Sequence, residues 1–163
     1  MLVEVFKISS RFAAQVSRDP LGGVTNSMTY PKQYNADSAP RKIVALVARL
    51  LPGLLGGQHL VHSVLLEQFG RASIKEVEMT GVGFYVEFDT PDDVPLAVPR
   101  NFAGGSAEIA LEGAPAGAGC VLFVCEGRLA TLEGFTYGSE EWAEDARVLS
   151  VENIEPVYPD DAA

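Results

Sequence analysis

The sequence predicts an α+β domain in which a helical hairpin packs on a mostly antiparallel sheet of about five or six strands. Two segments with helical spacing of apolar residues lie between residues 38 and 70, and the later segments have the pattern of strands. Short loops without helices join these strands, which excludes a doubly wound parallel sheet. At 163 residues and 47% hydrophobic composition, the chain is long enough to bury one core.

Local composition predicts the domain organisation. Residues 1–37 have a weak pattern broken by Asp19-Pro20 and Gly22-Gly23, and we interpret them as a partly irregular N-terminal arm. Residues 38–154 form the single α+β domain, and residues 155–163 form a flexible acidic tail. The N-terminus lacks the layout of a signal peptide, and no apolar run is long enough for a membrane span, so we expect a cytoplasmic protein.

Two predicted helices form the hairpin. We assign Ser38 as the N-cap of the first helix and Pro52-Gly53 as its end, because the apolar residues between them follow helical spacing. The second helix is predicted from Gln58 to Phe69, with Leu60 in its apolar stripe. Gly70 is its predicted C-terminal stop.

The predicted centre of the sheet is a hairpin near the C-terminal end. Cys120–Cys125 is apolar without a break, which suits a strand that is covered on both faces. Glu126-Gly127 resembles a two-residue turn, and Arg128–Tyr137 is the returning strand. We therefore expect this pair to lie near the middle of the sheet.

The remaining strands are predicted from shorter runs: Ile74–Met79, Val82–Phe88, Ser106–Glu112 and Arg147–Ile154. Val82–Phe88 alternates strictly between large apolar residues and other types, which is the clearest strand pattern in the sequence. Residues 89–102 contain three prolines and are predicted to be a long loop. The glycine-rich segment Gly113–Gly119 is predicted to be a flexible connection into the central hairpin.

Charge is distributed unevenly along the chain. Residues 1–75 hold 9 Lys and Arg against 4 Asp and Glu, whereas residues 76–163 hold 3 against 18, within a net charge of −10. A surface this acidic repels phosphate backbones, so we expect no nucleic-acid partner. The acids either keep the sheet in solution or form an anionic face for a cationic protein partner.

Residue types that support catalysis or metal binding occur without a suitable pattern. Cys120 and Cys125 project from opposite faces of one strand, roughly 16 Å apart, too far for a disulfide, which indicates reduced thiols in a cytoplasm. His59 and His62 share a helix surface, but a metal site needs further ligands and no metalloprotease motif is present. We expect no catalytic residues, no metal and no cofactor.

The candidate binding residues lie in LEGFTYGSEEW, residues 132–142, at the end of the returning strand. They are Glu133, Phe135, Tyr137, Glu140, Glu141 and Trp142. Aromatic and acidic side chains at a strand end are typical of a recognition surface, in which a partly exposed Trp142 would be the anchor. The alternative is that Phe135 and Trp142 pack in the core and at its rim, with the Tyr137 hydroxyl in a hydrogen bond.

Three segments resemble a loosely defined group of small bacterial proteins: TGVGFYVEF at residues 80–88, the GCVLFV strand, and LEGFTYG followed by Trp142. The group shares T-G-x-G-F and L-E-G-[FY]-T-Y-G segments, and the similarity covers about residues 58–150. The resemblance implies a bacterial cytoplasmic protein and brings no catalytic residues to this chain.

These patterns favour a non-enzymatic interaction module, such as an adaptor or an immunity-type protein that occupies a cationic partner. The alternative is a small-molecule binding protein or enzyme with a pocket between the helices and the sheet, lined by Phe84, Tyr85 and Phe88. Membrane-surface binding through the first helix is disfavoured, because that helix has only three basic residues. The sequence leaves a homo-oligomer open.

Overall fold

A computed structural model of the chain describes residues 30–159, and within them it contains two α-helices and an eight-stranded antiparallel sheet. The helices are α1 (Arg41–Leu54) and α2 (Leu60–Arg71). The strands are β1 (Lys32–Asn35), β2 (Ser73–Met79), β3 (Gly83–Asp89), β4 (Phe102–Gly104), β5 (Ser106–Leu111), β6 (Ala114–Cys125), β7 (Arg128–Thr136) and β8 (Val148–Glu155). The α+β class is confirmed. The predicted strand number is too low, because β1 lies in the segment interpreted as an arm and β4 is a three-residue strand that begins where the predicted loop ends.

The strand order is β1-β2-β3-β7-β6-β5-β8, and β4 pairs with the end of β6. The predicted hairpin is β6 and β7, in the middle of this order, so its central position is confirmed. Its turn residues Glu126 and Gly127 have φ values of 52° and 78°. A two-residue turn with both φ values positive matches the right-handed twist of the strands, and glycine tolerates it best.

The predicted limits of the first helix are wrong at both ends. Ser38 is not its N-cap but lies in a 3-10 turn, where its N–H donates to Asn35 Oδ1 at 3.0 Å. The N-cap of α1 is Pro40, whose carbonyl accepts the first helical hydrogen bonds. At the other end Pro52 lies inside the last turn, because the helix continues to the fully buried Leu54. Burial of that turn outweighs the lost N–H of one proline.

The second helix is shifted from its prediction by two residues. It begins at Leu60 after the N-cap His59, and Leu60 is exposed, so this leucine is not part of the apolar stripe. Gly70 is not the stop, because the helix runs on to Arg71. Ala72 ends it, with its N–H donating to the Gln68 carbonyl at 2.8 Å.

The predicted flexible connection Gly113–Gly119 is also wrong. Residues from Ala114 onward are the first half of β6, which pairs with β5 through Leu111 opposite Ala114 and Ile109 opposite Ala118. Ala114 and Ala118 are both buried. The small residues that indicated a loop therefore fill tight positions in a strand.

Parts of the predicted arm and tail lie against the domain. Lys32–Asn35 pairs with β2, and Val157 is fully buried beyond β8. The rest of the predicted arm, residues 1–29, and residues 160–163 of the tail lie outside the described residues. None of the described helices is both long and apolar enough to cross a membrane.

The two faces of the sheet differ in cover. On the inner face, buried side chains such as Val86, Leu122 and Leu132 share one core with both helices; α1 packs against β8 and α2 against β7. The fully buried Gln68 fixes α2 on the central hairpin, since its Nε2 donates to the Pro95 and Gly127 carbonyls. Its Oε1 accepts from the Leu129 N–H at 2.8 Å.

Candidate interaction surface

The outer face of the sheet carries two rows of side chains that run across neighbouring strands. Paired positions of β1, β2, β3, β7 and β6 form the first row: Gln33, Glu78, Tyr85, Glu133 and Val121. The second row is Asn35, Glu76, Glu87, Thr131 and Phe123. Directly paired side chains lie about 4.5–5.5 Å apart at Cβ, so four carboxylates are concentrated on three strands.

Alternation along β3 places two of these groups. Phe84, Val86 and Phe88 are buried on the inner face, so Tyr85 and Glu87 between them must point outward. The sequence pattern therefore contained the signal for an acidic outer face. The aromatic and acidic pattern of residues 132–142 alone does not reveal this face, because most of its carboxylates lie on β2 and β3.

Glu133 is the candidate residue with the most unusual surroundings. The Tyr85 hydroxyl donates to its Oε1 at 2.9 Å, and Val121 lies opposite it on β6. Burial raises the pKa of Glu133, and the hydrogen bond from Tyr85 opposes this by favouring the charged form. A carboxylate that has lost part of its water gains more from a nearby cation than an exposed one does.

Phe135 and Tyr137 extend the outer face towards the end of β7. Their rings meet edge to face with centroids 5.7 Å apart, and Tyr137 is 57% exposed. The Tyr137 ring lies across Gly119 of the next strand, where any side chain would overlap it. A glycine on β6 thus leaves room for an exposed aromatic ring to contact the sheet. We call Glu76, Glu78, Glu87 and Glu133, with Tyr85, Phe135 and Tyr137, the acidic outer face.

Trp142 lies on the other side of the sheet, so the expectation of a partly exposed anchor is wrong. It is 1% exposed and meets Phe84 edge to face, with ring centroids 5.0 Å apart. Gly134, opposite Phe84, leaves room for the phenylalanine ring. The backbone N–H of Trp142 donates to the Gly81 carbonyl at 2.8 Å. Gly134 has no side chain on the inner face, so the core has room for the indole of Trp142. Burial of this large apolar side chain is more favourable than leaving it exposed at a loop tip.

The acids of the Trp142 loop bind the protein's own N-terminal strand region. The Tyr30 hydroxyl donates to Glu141 at 2.6 Å, and the Tyr34 hydroxyl donates to Glu144. Burial is the main cause that raises the pKa of Tyr30, whereas for Tyr34 the hydrogen bond to Glu144 is the main cause of the raised pKa. Glu141 and Glu144 therefore bind the segment around β1, one through Tyr30 and the other through Tyr34.

Glu140, the remaining predicted binding residue, is half-buried in the same loop. Its carbonyl accepts from Thr136 Oγ1 at 2.8 Å. Its Oε2 is shielded from solvent and has no hydrogen-bond partner among residues 30–159. Of the six predicted residues, the structure groups Glu133, Phe135 and Tyr137 on the outer face; the loop residues are directed elsewhere.

The predicted pocket lining is divided between two faces. Phe84 and Phe88 are buried in the core, and Tyr85 points to the outer face. Because neighbouring residues of a strand point in opposite directions, the three side chains do not line one cavity.

The cysteines and histidines lie apart from this surface's carboxylates. Neither Cys120 nor Cys125 is in a disulfide among the described residues; Cys120 faces the core, and burial raises its pKa to about 11. The histidines hydrogen-bond backbone N–H groups at the start of α2 and, through His62 Nε2, the Val157 carbonyl. In the described part of the chain, no three His, Cys, Asp or Glu side chains group as a metal site would require.

Comparison of the chain with models of protein families, with curated proteins and with solved structures gave no match. A proposal for its function therefore depends on the geometry and charge of the residues described above.

Proposed function

We propose that this protein is a non-enzymatic interaction module, of the adaptor or immunity type, whose acidic outer face binds a cationic protein partner. The observation that supports this is the pair of cross-strand rows, which hold four glutamates and no lysine or arginine. Glu76 and Glu87 lie directly opposite each other. A face with this concentration of carboxylates is complementary to a cationic surface and steers the association of a cationic partner.

The aromatic residues of the face give the proposed contact its second component. Tyr137 is exposed and held by Gly119 beneath it and by Phe135 beside it, so little conformational entropy is lost when a partner covers it. Buried aromatic side chains dominate the energy of many interfaces, whereas charges at the rim mainly raise the association rate.

Capture of partners from a lysate of the native cell tests the proposal. The bait is the full chain, compared with the variant Glu76→Lys/Glu78→Lys and with the control Glu67→Lys/Glu112→Lys, which makes the same charge change at exposed sites off the two rows. We expect the wild type and the control to retain a basic protein at low salt and release it at high salt. The outer-face variant should not retain it. Equal loss in both variants, or in neither, contradicts the proposal.

Tyr137→Ala provides a second, quantitative test once a partner has been captured. Loss of an exposed aromatic anchor should weaken binding by roughly 2 kcal/mol, which is about thirtyfold in Kd. Leu149→Ala is the matched control, since Leu149 is a similarly exposed apolar residue on β8. Titration calorimetry should show a large change for the first variant only. An unchanged Kd for Tyr137→Ala would remove this residue from the interface.

A further inference from the structure

The segment that follows β8 is held against the helices by one residue. Val157 is fully buried, and its N–H donates to the Leu54 carbonyl at the end of α1 at 2.8 Å. Its carbonyl lies 2.5 Å from His62 Nε2. Both backbone groups of Val157 are therefore bound to the helical hairpin, one to each helix.

His62 makes this contact in a single protonation state. Its ring is fully buried, and its Nδ1 accepts the His59 N–H at 3.1 Å. Because Nδ1 is an acceptor, the ring hydrogen must be on Nε2, from which it is donated to Val157. Only the neutral Nε2–H form satisfies both contacts.

Among the described residues, the surroundings of the ring offer no group that would stabilise a second proton. Its titratable neighbours are His59, with ring centroids 6.2 Å apart, and Tyr158, which packs edge-on at 4.9 Å. Within residues 30–159, no ion pair joins His62 to a carboxylate. A side chain at Gly57 would overlap the ring, so the site is also closely filled.

We propose that His62 is an acid-sensitive latch, which holds the Val157 segment while neutral and releases it when protonated. A proton taken up from solvent at Nδ1 turns this acceptor into a donor that faces the His59 N–H. Two donors then lie in contact in a buried site, and an unpaired buried charge is strongly unfavourable. The released ring enters water, where its charge is solvated, so acid shifts the equilibrium towards release.

Release would uncover apolar surface. Val157 lies beside Gly104 and Gly105, and a side chain at Gly105 would meet Leu54. Leu54 and Leu55 at the end of α1 are fully buried in the latched form. The latch therefore couples pH to the exposure of the α1–α2 corner. This inference does not depend on the proposed binding of a cationic partner.

NMR of the full chain between pH 7.5 and 4.5 tests the latch. The protection of the Val157 amide against hydrogen exchange should fall by at least about tenfold, because the loss of one buried hydrogen bond changes an equilibrium by about that factor. The midpoint of this fall should coincide with the titration of the His62 ring, and the Trp142 amide, bound to Gly81 elsewhere, should stay protected. Val157 protection that persists after His62 has titrated would overturn the proposal. Simultaneous loss at Trp142 would also overturn it, because it indicates global unfolding.

Two variants separate the two histidines. His62→Gln is neutral at every pH and should lack the acid step, whereas His59→Asn keeps an N-cap residue and should retain it. A wild-type acid step in His62→Gln, or its loss in His59→Asn alone, contradicts the latch. If His62→Gln does not fold, the coincidence of the two wild-type titrations decides the question.

Discussion

The inner and outer faces of the central hairpin carry different kinds of side chain on the same two strands. Leu122 and Val121 are adjacent in β6, yet Leu122 is fully buried under the helices and Val121 lies opposite the charged Glu133. Inner positions are filled by apolar side chains that must match in volume. Outer positions accept carboxylates and aromatics, because water or a partner can still reach them.

Polar groups on the two faces differ in the same way. Gln68 is fully buried at the inner side, and its amide makes three hydrogen bonds, so no polar atom of the side chain is left unpaired. Glu133 on the outer face has one hydrogen bond from Tyr85 and keeps part of its surface in solvent. A core polar group must be fully satisfied, whereas a surface carboxylate retains capacity for an additional partner.

The largest expected difference between the faces comes from one substitution made at two neighbouring positions. Leu122→Asp should unfold the protein, because an unpaired buried carboxylate costs several kcal/mol against a total stability of about 5–15 kcal/mol. Val121→Asp should lose no more than about 1 kcal/mol, from repulsion with Glu133 opposite. Circular dichroism and urea denaturation measure both. A folded, cooperative Leu122→Asp protein would show that the hairpin does not form the centre of the core.

A smaller but still large effect is expected at the aromatic residues. Trp142→Ala should destabilise the fold by about 3–5 kcal/mol, since it removes a buried side chain that packs on Phe84. Tyr137→Ala, on the exposed side, should cost less than about 1 kcal/mol. Thermal melts of the two variants compare the faces directly. If Tyr137→Ala lowered the melting temperature as much as Trp142→Ala, Tyr137 would be a structural residue instead of a binding one.

Local sequence patterns, such as alternation and unbroken apolar runs, predicted the central strands of the sheet. Alternation in Val82–Phe88 and the apolar run Cys120–Cys125 gave β3 and the second half of β6, because local spacing decides which face a residue takes. The short edge strand Lys32–Asn35 could not be found in this way, since its pairing with β2 depends on contacts distant in sequence.

The candidate site was predicted in part for the same reason. Glu133, Phe135 and Tyr137 share an outer face by alternation alone, which the sequence supplies. The direction of Trp142 is decided by Phe84 and by the space that Gly134 leaves, and these lie far from it in the chain. Nothing within residues 138–145 indicates which way a loop tryptophan turns. The hydrogen bond from Tyr30 to Glu141 likewise joins residues that are far apart in the sequence.

The smallest expected effect concerns the pH dependence of stability at Glu133. Burial raises the folded pKa of this carboxyl above its unfolded value, which is ordinarily about 4.3. The native state therefore favours the protonated form, so the contribution of Glu133 to stability is present at low pH and is lost as pH rises through the folded pKa.

Glu133→Gln is always neutral and its amide oxygen still accepts from Tyr85, so it should gain stability relative to wild type between pH 4 and pH 7. Tyr85→Phe removes the hydrogen bond that favours the charged form of Glu133. As a single variant it should move the loss of folding stability to higher pH. In the double variant Tyr85→Phe/Glu133→Gln it should have no such effect. Urea midpoints measured across this range give both comparisons. A difference between Glu133→Gln and wild type that is the same at every pH would mean that Glu133 ionises as easily in the folded sheet as in the unfolded chain, and that burial does not strengthen its attraction to a cationic partner.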